Sequence, residues 1–111
     1  MYVQVDLTSD PPLVTLEEPD DCTRFHLVVY GGRDAARVYG ALVDAAAGRL
    51  ENDDALITID SVRRMAAGRV ADDWDDRFEG MLGYARSKSW IDDTNNAVRA
   101  HIEYVGASAP G

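Results

Sequence analysis

The sequence predicts an α+β fold: a single mixed, mainly antiparallel sheet of about five strands, with helices packed on one face. Three observations support this prediction. Three strand-like segments precede the first helix, and the later elements mix helices with strands. The last segment alternates apolar and polar side chains, as in a sheet with one face open to water. The predicted order is β-β-β-α-β-α-α-β.

Length and composition favour a single domain. The chain has 111 residues, of which 46% are hydrophobic, and a domain of this size buries roughly two-thirds of its unfolded surface. We expect the domain to span residues 1–106, followed by a disordered tail over residues 107–111. No apolar run approaches the ~20 residues that cross a membrane, and the first ten residues lack the regions of a signal peptide.

Charge and cysteine content narrow the class of partner. A formal net charge of −9 disfavours nucleic acid and anionic lipid, and it suits a basic partner. Cys22 is the only cysteine, so the chain forms no internal disulfide, which is typical of a reducing compartment. The expected location is the cytoplasm. Carboxylates at Asp20 and Asp21 should raise the pKa of the Cys22 thiol, which disfavours a nucleophilic role.

Three strands are predicted in the first 30 residues. Residues 2–7 alternate apolar and polar side chains, the pattern of a half-buried strand. Residues 13–17 form a short second strand between turns that contain proline and aspartate. Residues 25–30 are rich in β-branched and aromatic side chains and form the strongest strand. His26 shares a strand face with Val28, which favours a packed or rim histidine.

A helix and a fourth strand follow. The helix is predicted over residues 34–47, with Gly48 in the left-handed position after it. Residues 51–54 are a polar connection, and residues 55–59 form an apolar strand. Because a helix links the third and fourth strands, we expect them to form one right-handed parallel crossover.

A short helix capped by Asp60 or Ser61 comes next and ends at Gly68. It lies in a stretch without acidic residues, over residues 61–71. The order of short helix, turn and long helix resembles that of a helix-turn-helix. A recognition helix presents its N-terminal residues to DNA. Here those are the aspartates of residues 72–76, which would repel phosphate, so the sequence disfavours DNA binding.

The clearest helix is predicted over residues 72–88. Acidic side chains begin it and basic ones end it, which complements the helix dipole. Asp72 or Asp73 is expected to cap it by accepting a backbone N–H. The aspartates lack the alternate spacing of a calcium loop. One stripe of the helix is apolar at i, i+4, i+7, i+8 and i+11, and it consists of Trp74, Phe78, Met81, Leu82 and Ala85.

The opposite side of this helix carries two glycines. Gly80 and Gly83 share a stripe with Asp76 and Ser87, about half a turn from the apolar stripe. Each glycine costs about 1 kcal/mol relative to alanine in a helix interior. Two interpretations stay open. The glycines admit a close neighbouring backbone, or they are tolerated defects on a solvent-facing side.

The last strand is predicted over residues 97–105, and Trp90 is expected to fold back onto the end of the long helix. Arg99, His101 and Glu103 share one face of this strand. His101 is the best catalytic candidate, since histidine titrates near neutral pH and Glu103 could orient it. A merely solvated face gives the same pattern.

No other motif in the sequence indicates a particular reaction. The Gly31-Gly32 pair lacks the spacing of a phosphate-binding loop. The two histidines and the single cysteine lack the spacing of zinc ligands. We therefore expect no metal and no cofactor.

The leading functional hypothesis is a non-enzymatic protein-interaction or accessory module that binds another protein or self-associates as a homodimer, with Gly80 and Gly83 at the interface. The alternative is a small-molecule or anion-binding domain, or a weak enzyme, with a pocket near His101 and Arg99. Convergence of His101 with an arginine in a concave pocket would favour the alternative. Further candidates for that pocket are Tyr30, Arg63, Trp74 and Trp90.

Overall fold

The computed structural model describes residues 1–105, which form an α+β fold and confirm the predicted class. The strands are β1 (Tyr2–Asp6), β2 (Leu13–Glu17), β3 (His26–Tyr30), β4 (Gly48–Glu51), β5 (Asp54–Thr58), β6 (Ile91–Asp92) and β7 (Ala97–Val105). The helices are α1 (Ala35–Asp44), α2 (Ile59–Ala66) and α3 (Trp74–Ser87). The predicted tail over residues 107–111 lies outside the described residues.

The sheet is mixed and runs in the order β2-β1-β3-β7-β5-β4, with β6 paired to the start of β7. Strands β1, β3 and β7 are parallel, and the other pairs are antiparallel. The prediction of about five strands is wrong, because the described residues form seven. The two that were missed are short. β4 begins at a glycine that resembled a helix end, and β6 has only two residues.

The predicted parallel crossover between β3 and β5 is also wrong. β7 lies between these strands, parallel to β3 and antiparallel to β5. β7 is nine residues long, so its first half can pair with β5 and β6 while its second half pairs with β3. The last strand of the chain therefore holds the two halves of the sheet together.

The helices cover one face of the sheet, as predicted, and the core lies between them and that face. Alternation along the strands sends one set of side chains into this core. The buried side chains from the strands include Val3, Val5, Leu27, Val29, Ile57 and Ala100. Those from the helices include Val38, Leu42, Val62, Phe78 and Leu82.

Helix α1 begins as predicted and ends earlier. The Asp34 carboxylate accepts hydrogen bonds from the first-turn N–H groups of Ala36 and Arg37. The left-handed position after the helix belongs to Ala46 (φ 54°), not to Gly48. Gly48 opens β4, where an added Cβ would lie 2.0 Å from the Leu56 carbonyl oxygen. Close approach of two strands, rather than a helix end, requires glycine there.

Helix α2 is capped by Thr58, not by Asp60 or Ser61. Since the helix begins at Ile59, the two predicted caps lie within its first turn. The buried Ser61 hydroxyl donates to the Thr58 carbonyl at 2.7 Å, so this serine fixes the start of the helix from inside.

Helix α3 buries the predicted stripe, except that Met81 is only partly buried. Asp73 precedes the helix without capping it through its side chain, contrary to expectation. Its carboxylate instead pairs with Arg77 at 3.3 Å. None of the helices in residues 1–105 combines the length and apolarity that crossing a bilayer requires.

Candidate functional site

The face of the sheet opposite the helices, here called the open face, carries Arg99, His101 and Glu103 from β7. Arg99 forms ion pairs with Glu51 at 3.0 Å and with Asp54 at 3.3 Å. Hydrogen bonds to these two carboxylates raise the pKa of Arg99. Its guanidinium is therefore already balanced by two acids, which disfavours its use as an anion receptor.

His101 is exposed and lies opposite Asp54 in the pairing of β5 with β7. It lines a cavity of about 200 Å³ together with Phe25, Trp90 and Arg99. The structure thus brings together three of the predicted site residues, Trp90, Arg99 and His101. Glu103, which was expected to orient His101, contacts the other histidine instead.

That other histidine, His26, lies in a cluster that the sequence did not predict. Its ring stacks on Tyr2 with a centroid separation of 5.3 Å, and its Nε2 lies 3.7 Å from a Glu103 carboxylate oxygen. Burial lowers the pKa of His26, although the Glu103 carboxylate opposes the shift. The imidazole is therefore mainly neutral at pH 7.

This cluster lines a cavity on the open face with a volume of about 490 Å³. Its walls come from β1, β3, β7 and the turns before β3. Both histidines line it, and so do Glu18 and Arg24. His101 therefore lies between two adjoining cavities, one polar and charged, the other partly aromatic.

A second candidate surface lies on the outer side of α3. We define the outer face of α3 by Asp76, Gly80, Gly83, Tyr84 and Ser87, all of which are exposed. An added Cβ at either glycine would meet no heavy atom within 4 Å. Nothing in residues 1–105 therefore requires glycine at these positions, and the two interpretations of this stripe stay open.

Two exposed aromatic side chains, one on the outer face of α3 and one beside it, contact each other. Tyr84 is 58% exposed and Trp90 is 43% exposed. Their rings meet edge to face at 5.9 Å, and the Lys88 ammonium lies 5.6 Å from the centre of the Tyr84 ring. Behind them, a cavity of about 260 Å³ reaches Phe25 and Met81. Trp90 folds back onto the helix, and its backbone N–H donates to the Ala85 carbonyl at 2.9 Å.

The structure places Arg63 and Trp74 away from His101. Arg63 pairs with Asp75 at 3.2 Å and with Glu79 at 2.7 Å, and so ties α2 to α3. Trp74 is buried, and its indole N–H donates to the Pro19 carbonyl at 2.6 Å. Both side chains contribute to packing.

Metal-binding and thiol chemistry receive no support from the described part of the chain. Within residues 1–105, no three His, Cys, Asp or Glu side chains converge in a way that could hold a metal ion. Burial raises the pKa of the Cys22 thiol, and Asp20 and Asp21 add to the shift. The thiol is therefore mainly protonated at neutral pH.

Comparison with known proteins assigns the chain to no family. No family model, no curated protein and no solved structure matches it. The function is therefore inferred from the side chains and their surroundings.

Proposed function

We propose that the chain is a non-enzymatic protein-interaction module that associates with a second copy of itself through the outer face of α3. The observation that carries this proposal is the exposed aromatic pair Tyr84 and Trp90 beside Gly80 and Gly83. Tyrosine and tryptophan are enriched at the centre of protein interfaces, where they supply much of the binding energy.

The two glycines favour a helix as the opposing element. Packed helices lie about 8–10 Å apart, and small side chains at the contact allow the shorter distances. Beyond the helix's own backbone, no described heavy atom lies within 4 Å of a Cβ added at Gly80 or Gly83. A second α3 can therefore approach the backbone closely, with the Tyr84 ring packed against it beside the glycines.

Charge favours an antiparallel arrangement of the two helices. The outer face of α3 is acidic near its start, at Asp76, and the basic Lys88 follows its end. Twofold symmetry would bring the acidic start of each helix to the basic end of the other. Within residues 1–105 the ion pairs of α3 involve neighbouring charges rather than Asp76 or Lys88. The Lys88 ammonium contacts the Tyr84 ring, so both charges can form ion pairs between copies.

Replacing both Gly80 and Gly83 with leucine tests the proposal. The added side chains hold the helices apart, so the variant should be monomeric at concentrations where the unchanged chain is dimeric. Light scattering over a dilution series measures the mass. Replacing Gly40 with leucine is the matched control and should leave the mass unchanged, because this half-buried glycine of α1 also has no heavy atom within 4 Å of an added Cβ. A monomeric mass for the unchanged chain at every concentration would refute the proposal.

The alternative function, small-molecule binding near His101, is favoured by one observation: His101 converges with an arginine in each of two adjoining cavities, with Arg99 in the smaller and Arg24 in the larger. Of these, the smaller is bordered by Arg99, whose two carboxylate partners argue against a simple anion as the ligand. A ligand that binds only the folded chain raises its melting temperature. A metabolite screen that gives no shift, or a shift that survives His101→Ala, would count against a site at this histidine.

A further inference from the structure

We infer that the 490 Å³ cavity on the open face binds a small zwitterion of amino-acid type, with Arg24 receiving its carboxylate and Glu103 its ammonium group. This inference goes beyond the proposed self-association and uses no residue of α3. Three features of the cavity carry it: an arginine without a partner, carboxylates without a cationic partner, and aromatic walls.

Arg24 differs from every other arginine of the chain. Within residues 1–105 it forms no ion pair, side-chain hydrogen bond or ring contact, although Asp21 lies within range of its charge. The other nine arginines each form at least one such contact: Arg33, Arg37, Arg49, Arg63, Arg64, Arg69, Arg77, Arg86 and Arg99. A guanidinium with five free donors beside a cavity is suited to bind a carboxylate, since the two groups match in a bidentate pair.

The acids of the cavity likewise lack a cationic partner in the described residues. Glu103 is 56% exposed at its side chain, and within residues 1–105 its ion-pair contact is with His26. Because burial keeps His26 mainly neutral, that contact leaves the Glu103 charge largely uncompensated. Glu18, in the turn after β2, also lines the cavity and forms no ion pair in this part of the chain.

The mixed signs of these charges select among ligands. A simple amine is attracted by Glu18 and Glu103 and repelled by Arg24. A simple carboxylate is attracted by Arg24 and repelled by Glu18 and Glu103. A molecule that carries both groups pairs with Arg24 and with Glu103 at once, and each of its two charges gains a charge-assisted hydrogen bond.

The size and the walls of the cavity suit such a molecule. The volume of about 490 Å³ falls within the range of small-molecule sites. The stacked rings of Tyr2 and His26 form one wall, and Tyr30 lines another part of it. These rings offer an apolar surface to the carbon skeleton of the ligand.

Calorimetric titration of the intact chain tests the inference with glycine, β-alanine and γ-aminobutyrate, and with propylamine and propionate as single-charge controls. At least one of the amino acids should bind about tenfold more tightly than either control, because it makes both charged contacts. Arg24→Gln should lower that affinity to the level of propylamine, and Glu103→Gln should lower it to the level of propionate.

Arg69→Gln is the matched control, because Arg69 donates only to a carbonyl in α2. The affinity of this variant for the amino acid should equal that of the unchanged chain. Ring nitrogen signals of His26 and His101 in NMR spectra should shift on addition of the tight-binding amino acid. The inference is wrong if no amino acid exceeds both single-charge controls, or if Arg24→Gln binds as the unchanged chain does. A failure here leaves the dimer proposal intact, because the dilution series does not involve these residues.

Discussion

The two sides of α3 differ in how fully the chain itself explains them. On the inner side, Trp74, Phe78 and Leu82 are buried in the core, and the Trp74 and Phe78 rings stack at 4.6 Å. On the outer side, Gly80 and Gly83 meet nothing within 4 Å of an added Cβ. The inner side accounts for the folding of the helix. The two glycines on the outer side lower helix stability, and no contact within residues 1–105 requires them. A contact with another molecule would account for them.

The largest expected effect lies on the inner side. Phe78→Ala removes a fully buried ring that stacks on Trp74 and lies under the Arg63 guanidinium. We expect a loss of about 3–5 kcal/mol in the free energy of unfolding, from lost burial and the cavity left behind. Urea titration measures it. A loss below about 1 kcal/mol would mean that the inner side is not the folding side of α3.

A smaller effect of opposite sign is expected on the outer side. Replacing Gly80 and Gly83 with alanine should raise the stability of the monomer by about 0.5–1 kcal/mol per site, since alanine restricts the unfolded chain and fits the open space. Thermal unfolding at a concentration below dimer formation measures it. A lower melting temperature would show that some contact requires glycine here and would break the contrast between the two sides.

The smallest effect concerns the flank of α3 between the two sides. A hydrogen bond from the Ala71 N–H and a second from Arg77 lower the pKa of Asp20. A carboxyl whose pKa is lower in the folded state stabilises the fold above its unfolded pKa of about 3.9. That contribution is lost as the pH falls through the folded pKa.

Asp20→Asn should therefore be less stable than the unchanged chain at pH 7, and the difference should shrink as the pH falls below about 4. Urea titrations of both chains from pH 7 to pH 3 provide the comparison. A difference that stays constant with pH would mean that the Asp20 charge does not hold the turn against α3.

Long periodic segments were the predictable part of the fold. The apolar stripe of α3 and the alternation along β7 extend over enough residues to be recognised from sequence. The strands β4 and β6 were missed because they are short, and the Gly48 signal has two structural meanings. The partners of β7 depend on contacts between distant segments, which local patterns do not encode.

In the candidate sites, too, local sequence patterns predicted some features, and contacts between distant segments determined the others. The shared face of Arg99, His101 and Glu103 follows from strand alternation, and so it was predicted. The cluster of Tyr2, His26 and Glu103 joins three strands, and only the parallel order β1-β3-β7 brings its members together. The burial of the Trp74 indole N–H against Pro19 was equally invisible in the sequence.

The most direct test of self-association through α3 is a charge exchange between copies. Asp76→Lys and Lys88→Glu should each be monomeric alone, because like charges then face each other across the twofold axis. An equimolar mixture should recover the dimer mass in sedimentation, since the new charges are complementary between the two variants. Asp53→Lys, a change in an exposed turn away from α3, should remain dimeric. Recovery in the mixture is the predicted result, and a mixture that stays monomeric while the unchanged chain is dimeric would contradict the antiparallel α3 interface.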